Sequence, residues 1–417
     1  MKLTVINSKY FLISVLVVFN LILINCQPKA QTIPMNNQQI LTFHHSILTL
    51  DSHVDTPLRI KYEGIKLGQK YDPHEIKSKL DLPRMQEGGL DAAFFAVWTA
   101  QGVRSDNAHA AVKQKALSII DQVEGELQQY PEQIKLATHS SEASKLASEN
   151  KHAIYLGMEN GYPIGNDIDN VNLFFDRGIR YITLCHTSNN DICDSSNDTT
   201  EYGGLSPFGF TVVERMNQLG LMVDISHVSN ATVEDVLATS KTPVIASHSC
   251  SQAMCDNPRN INDSLLAKIA EKGGVVQMCL YSEYILPDPP NPDRDSARAA
   301  LKEKWGDPYK LQGEKKLQYR TEKNAMDRKH PQILPSVADA VDHIDHMVEV
   351  MGIDHVGIGT DFDGGAALSD CYDVSQLPNI TLELFKRGYS EADIQKIWSG
   401  NFLRVFSAVE QYAQSQN

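Results

Sequence analysis

Short apolar, β-branched or aromatic runs recur along the chain, separated by segments whose apolar residues fall at helical spacing. In order the runs are ILTLDSH (47–53), LDAAFFAVW (90–98), AIYLGME (153–159), RYITLCH (180–186), LMVDISH (221–227), PVIASHS (243–249), GVVQMCLY (274–281) and HVGIGTDFDG (355–364). Helical patterns cover 107–130, 211–220 and 337–352, the last two stopping on Gly220 and Gly352. Eight apolar runs alternating with helices predict parallel strands buried on both faces. Eight is the closure number of a (β/α)8 TIM barrel, an α/β fold; a doubly wound open sheet is the alternative.

The polar residues favour the barrel. His53 with Asp55, Glu159, His186, His227, His248, Tyr281 and Asp361 all lie at or just past the C-terminal end of a run. In a barrel those positions converge on one face, whereas distant strands of an open sheet share no site. Residues 283–335 break the rhythm after the seventh run. They are charged and Pro-rich, with a helical pattern around SARAALKEKWG. An insertion is expected there, either a lid or partner surface beside the mouth or a solvated decoration.

The N-terminus has a different pattern. Lys2 and Lys9 precede a run, 11–24, that is apolar except for Ser14 and Asn20. Fourteen helical residues rise about 21 Å, short of a hydrocarbon core of roughly 30 Å. This is the signature of a signal peptide over 1–25. It ends Leu23-Ile24-Asn25-Cys26, which resembles a bacterial lipoprotein signal with Cys26 as the lipidated residue. A polar tether over 26–45 would then lead into a barrel over 46–417. The expectation is an exported protein, lipid-anchored to the bacterial cell envelope; ordinary secretion with an incidental Cys26 is the alternative.

Composition narrows the function classes. The 417 residues are 42% hydrophobic and carry a formal charge of −14. The apolar fraction supports a real core, and the acidic balance argues against nucleic acid as a general partner. None of the seven cysteines forms a CxxC pair, so zinc ribbons and thioredoxin-type redox motifs are unsupported. Cys185 and Cys279 sit in apolar runs and read as buried thiols. His343 and His346 fall on a helical pattern and read as solvated; His44, His45 and His355 receive no role.

Candidate chemistry gathers at the run ends. His53 and Asp55 are two apart, so on a strand they share a face. With Glu159, His227 and His248 they offer three imidazoles and two carboxylates, a set suited to zinc or another divalent transition metal. Five groups exceed the needs of one catalytic zinc; two ions sharing a carboxylate would use them all.

The motifs LDSHVDTP, GMENG, LCHTSNN, DISHVS, ASHSCSQAMCDNPRNI and GIGTDFDG resemble, in order, those of the membrane dipeptidase (renal dipeptidase) family of zinc peptidases, from about residue 46 to the C-terminus. The resemblance implies two zinc ions, one on His53 and Asp55 and one on His227 and His248, bridged by Glu159. It implies that His186 contacts the substrate and stabilises the tetrahedral intermediate. Arg259 and Tyr281 would hold the substrate carboxylate, and Asp361 would be the acid/base, with Asp363 as a turn or supporting residue. The implied reaction is hydrolysis of dipeptides by a hydroxide bridging the two zincs, including dipeptides with a C-terminal D-residue. The family also implies a homodimer. Another amide or lactone hydrolase on the same barrel, and a non-catalytic binding lipoprotein, are the alternatives.

Overall fold

The computed structural model describes residues 35–416, apart from 76, 77, 307–310 and 312. The signal segment and Cys26 lie outside the described residues. The chain divides into two units, Met1–Gln39 and Ile40–Asn417. At the start of the described chain, Asn36 and Gln39 cap each other reciprocally, side chain to backbone amide, at 2.9 and 3.0 Å. They open a helix, Asn37–His44, within the span whose polarity reads as a tether. Near its end Phe43 packs edge-on against Phe385, with ring centres 5.2 Å apart.

Nine strands follow: β1 Leu50–Val54, β2 Ala92–Trp98, β3 Ile134–Leu136, β4 His152–Glu159, β5 Ile179–Thr183, β6 Met222–Asp224, β7 Ile245–Ser249, β8 Val275–Met278 and β9 Val356–Ile358. All pairings are parallel, in the order β1-β2-β4-β5-β6-β7-β8-β9. The eight strands in that path coincide with the eight apolar runs. The ring closes through the residues after β9: the Thr360 amide donates to Asp51 at 2.9 Å, Asp361 to the His53 carbonyl at 2.9 Å, and Asp55 to the Phe362 carbonyl at 2.8 Å. The fold is a nearly closed (β/α)8 barrel. The extra strand β3 pairs only with β4. Its three residues Ile-Lys-Leu carry no apolar run to announce it.

Helix ends follow local chemistry. Ser206 caps Pro207–Leu219, which Gly220 stops at φ 82°, a left-handed backbone that glycine adopts without a Cβ clash. Ser336 and Asp339 form a capping box for Val337–Met351. Among the described residues no helix is long and apolar enough to cross a membrane.

Two cores result. The larger one packs the helices onto the outside of the barrel. The smaller one takes one or two residues near the start of most strands, among them Leu50, Phe94, Tyr155, Met222, Ile245 and Val275, and adds Phe402, Val405, Phe406 and Val409 from the helix Asn401–Gln416. Phe406 meets Tyr155 at 5.7 Å, and Phe402 meets Phe94 at 5.1 Å. The C-terminal helix therefore seals the end where the strands begin, leaving the opposite end for polar residues. After β8, the seventh strand of the ring, the insertion folds as helices Pro292–Trp305 and Gly313–Lys329, with Arg320 paired to Glu63 of the barrel.

Candidate metal centre

The side chains singled out at the run ends meet in one place. Glu159, the last residue of β4, is the hub. Its Oε1 lies 3.1 Å from His227 Nε2, 3.6 Å from His248 Nε2 and 3.5 Å from His186 Nε2, and its Oε2 lies 3.5 Å from His53 Nε2. Asp55 Oδ2 is 3.8 Å from His53 Nε2. Nε2 of His227 and Nε2 of His248 are 2.9 Å apart. Three sets of donor atoms lie close enough to hold ions: His53, Glu159 and His248; Glu159, His186 and His227; and His53, Asp55 and Asp361.

Packing behind two of the imidazoles, His53 and His248, explains why their Nε2 atoms point inward. In β4, Gly157 has no side chain, and a Cβ there would fall 2.1 Å from the Tyr181 ring. That gap lets Tyr181 cross the barrel interior and place its hydroxyl 2.8 Å from His53 Nδ1, while donating to the Ser52 carbonyl at 3.2 Å. On the other side His248 Nδ1 lies 2.8 Å from Ser247 Oγ, which donates to Asp224 at 2.6 Å. With Nδ1–H of His53 and of His248 donating outward, the Nε2 lone pairs of these two are left for a cation. Tyr181, Ser247 and Asp224 were not singled out in the sequence; a glycine facing a tyrosine across adjacent strands was the available signal for the first.

The electrostatics ask for a cation. Asp55, Glu159 and Asp361 are all buried, and among the described residues none has a lysine or arginine within ion-pair distance. Buried carboxylates without a counter-charge are costly. Burial, with the Cys279 thiol and the Asp55 carboxylate nearby, pushes Asp361 well above the usual carboxylate range. Burial works against a charge on His53, yet the Tyr181 hydroxyl and Glu159 outweigh it and raise that imidazole. Burial, joined by Arg259 and neighbouring imidazoles, lowers His227 and His248 well below the ordinary histidine value. Neutral imidazoles are the metal-binding form. His53 Nε2 and His227 Nδ1 are buried without hydrogen-bond partners. The residues thus fit one or more divalent metal ions.

The backbone is held in unusual conformations here. Of the five non-glycine residues with positive φ among those described, four are at this mouth: Asn160 at 75°, His227 at 69°, Asp361 at 62° and Asp363 at 69°. Such residues cost about 1 kcal/mol or more each and persist where surrounding structure holds them. Asn160 is anchored through Asn190 at 3.0 Å and the Thr99 carbonyl at 3.0 Å.

The remaining candidates ring the hub. His186 and Tyr281 are half-buried, unlike the metal-facing side chains. His186 meets Trp98 edge-on at 5.6 Å. Arg259 is buried; it donates to Ser249 Oγ at 2.8 Å and to the His248 carbonyl at 2.6 Å, and its Nε–H has no partner. Tyr281 stacks on Tyr284 at 4.6 Å, and its ring closes over Gly365, where a Cβ would fall 2.6 Å away. Asp363 is a scaffold residue, accepting from Thr56 Oγ1 at 2.8 Å and the Lys79 amide at 2.7 Å.

Two expectations change. His343 is buried rather than solvated: its Nδ1 accepts from the Ser251 amide at 3.2 Å and its Nε2 lies 2.9 Å from the Ile285 carbonyl. The helical pattern placed it correctly on a helix, and the loops after β7 and β8 cover that face. His346 is half-buried and pairs with Asp263 at 2.8 Å. All six described cysteines are buried free thiols, Cys185 and Cys279 as expected.

Residues 37–417 match the family model described as membrane dipeptidase, peptidase family M19. Dipeptidase aclJ of Aspergillus oryzae is 30% identical over 387 residues, covering 91% of this chain and 81% of the relative. Dipeptidase 3 of Rattus norvegicus is 29% identical over 385 residues, covering 91% and 68%. Among solved structures, the probable dipeptidase PvdM from Pseudomonas aeruginosa superposes with a TM-score of 0.77 at 31% identity, covering 90% of this chain and 98% of that one. A metallopeptidase from Rhodobacter sphaeroides, solved with a phosphinate mimic of L-Ala-D-Ala, shares the fold with a TM-score of 0.69 at 22% identity, covering 87% and 99%. With its barrel, its buried carboxylates and its converging imidazoles, the chain belongs to the membrane dipeptidase family, peptidase family M19, and is a metal-dependent hydrolase with dipeptidase function.

Proposed function

We propose that this protein cleaves the peptide bond of dipeptides with two zinc ions per chain. His53 and Asp55 would hold one ion, His227 and His248 would hold the other, and Glu159 would be shared between them. The observation that carries this reading is the convergence of His53, His227 and His248 Nε2 on the two oxygens of one buried carboxylate. Zinc bound there supplies Lewis acidity and lowers the pKa of a coordinated water.

The protein's own groups do the rest. Asp361, whose carboxylate burial makes a stronger base than usual, takes the proton of the attacking water and hands it to the leaving amine. His186, kept neutral by burial, donates a hydrogen bond to the oxyanion that develops on the scissile carbonyl. Arg259, held rigidly with Nε–H unspent, takes the substrate's terminal carboxylate, with Tyr281 beside it. A fixed carboxylate clamp beside the scissile bond favours dipeptides over long chains. The L-Ala-D-Ala mimic in the Rhodobacter enzyme is the reason to include C-terminal D-residues among the substrates.

The test combines zinc stoichiometry with hydrolysis of L,L and L,D dipeptides, using Asp361→Asn as control. About two zincs per chain and chelator-sensitive cleavage lost in the variant would establish the reading. Two zincs without dipeptide cleavage would move the search to other amides and lactones. Absence of metal, with no rescue by added zinc, would overturn it.

We further propose that the protein is exported, lipid-anchored through Cys26 to the bacterial cell envelope, and works as a homodimer. Lys2, Lys9, the apolar run 11–24 and the Leu-Ile-Asn-Cys sequence support the anchor. Radiolabelled fatty acid incorporated into the wild type but not into Cys26→Ser would confirm it, and sedimentation of the soluble form reads the dimer.

A further inference from the structure

Between the inserted helices and the barrel mouth lies a cavity of about 670 Å³, a size typical of small-molecule sites. Arg59, Lys79, Arg294, Lys323 and Arg328 line it, against three carboxylates, Asp327, Asp363 and Asp373. In a chain of formal charge −14 this is a local excess of cations.

The carboxylates are already committed. Asp327 is shared by Arg294 at 3.0 Å and Lys323 at 2.8 Å. Asp363 faces Arg59 at 3.6 Å while accepting from Thr56 and the Lys79 amide. Asp373 pairs at 3.0 Å with Arg84, which is outside the cavity lining. Lys79 is only 7% exposed; its ammonium donates to the Ala366 carbonyl and sits 4.0 Å from the centre of the Tyr372 ring. Among the described residues no carboxylate lies within ion-pair distance of it. A buried ammonium without a counter-ion is expensive, and burial pulls it down to about 8. An anion in the cavity would remove that cost.

The cavity adjoins the metal centre. Asp363, Gly365 and Ala367 line it. On the same loop Gly364 lies against the metal-facing side, where a Cβ would fall 2.1 Å from the Asp361 carboxylate and 2.2 Å from that of Asp55. One turn of loop therefore separates the proposed acid/base from the cationic space.

We infer that this cavity is a specificity pocket that receives a carboxylate on the substrate's side chain, so that the enzyme prefers acidic dipeptides to their amide isosteres. The inference rests on the dipeptidase reading above. Three of the five cations, Arg294, Lys323 and Arg328, come from the insertion, which gives that segment a task in substrate choice.

The test compares kcat/KM of the zinc-loaded full chain on Glu-Ala against Gln-Ala, and on Ala-Glu against Ala-Gln. Each pair differs in charge and hardly in shape. One acidic member is expected to lead by about tenfold or more, the scale of a charge-assisted hydrogen bond. Arg328→Gln, an exposed position able to change without unfolding the chain, is expected to cut the Glu-over-Gln ratio several-fold, and Lys79→Met to bring it near one. Ratios near one in the wild type, or a preference unmoved by Arg328→Gln, would overturn the inference. If no dipeptide is cleaved, the dipeptidase reading fails instead. The pocket is then read by calorimetric titration with glutarate: binding weakened by Arg328→Gln sustains an anion site, and no binding to the wild type refutes it.

Discussion

The two ends of the barrel are built from opposite materials. Where the strands begin, Leu50, Phe94, Tyr155 and Ile245 meet Phe402 and Phe406 in an apolar plug with ordinary backbone. Where they end, imidazoles and carboxylates are buried together, and four non-glycine residues take positive φ. The plug lowers the free energy of the fold, and the mouth raises it unless a cation is bound. A barrel can carry such a mouth because its other end and its outer shell supply the stability.

Substitutions at each end should therefore separate activity from stability. The largest effect is expected at the hub: Glu159→Gln should lower kcat/KM by on the order of 10³-fold or more, while the metal-free protein melts no lower than metal-free wild type. A metal-free variant that melts well below wild type would show that the mouth also stabilises the fold. Phe406→Ala should do the converse, costing about 3–5 kcal/mol in denaturant titrations with kcat unchanged for the folded protein. Loss of kcat there would break the division between the ends.

Histidines offer a sharper version of the comparison, because burial makes some of them structural and others chemical. His44 is fully buried away from the mouth, with Nδ1 2.7 Å from Thr381 Oγ1 and Nε2 2.8 Å from the Gly88 carbonyl. Burial lowers it to about 4 from an ordinary 6.5. Between those values the unfolded chain binds a proton that the folded one refuses, so stability falls as pH drops from 6.5 toward 4. The loss amounts to about 3 kcal/mol. Urea titrations at pH 7 and pH 5 should show a shallower pH slope in His44→Gln than in wild type; equal slopes would remove His44 from the account. The smallest effect is expected where the two ends touch. Tyr181→Phe keeps the ring against Phe94, 5.3 Å away, and removes only the hydroxyl behind His53. Metal affinity should fall by about 10- to 100-fold with a stability change near 1 kcal/mol. Unchanged affinity by competition with a chelator would mean that His53 is oriented by packing alone.

Much of this was legible in the chain before folding. Eight apolar runs became the eight strands of the ring, because a strand buried on both faces has no choice but to be apolar. Polar residues at run ends became the mouth for the complementary reason: they are the first positions free of the sheet. What escaped were features lacking a local pattern. Strand β3 is three residues at an edge. His343 looked solvated because helix periodicity gives a face without saying what covers it. Tyr181 reads as one more apolar strand residue until Gly157 is known to lie beside it.

Residue type at short, regular spacing was enough for the order of the eight ring strands, the barrel class and the placement of the polar residues at the strand ends. Tertiary structure alone decided which nitrogen of each imidazole faces inward, that Asp363 braces the loop while Asp361 faces the metal site, and that insertion and barrel enclose a cationic cavity. Those outcomes depend on contacts between residues tens to hundreds of positions apart, such as Thr56 with Asp363 and His53 with Tyr181, and no local pattern encodes a distance across the fold.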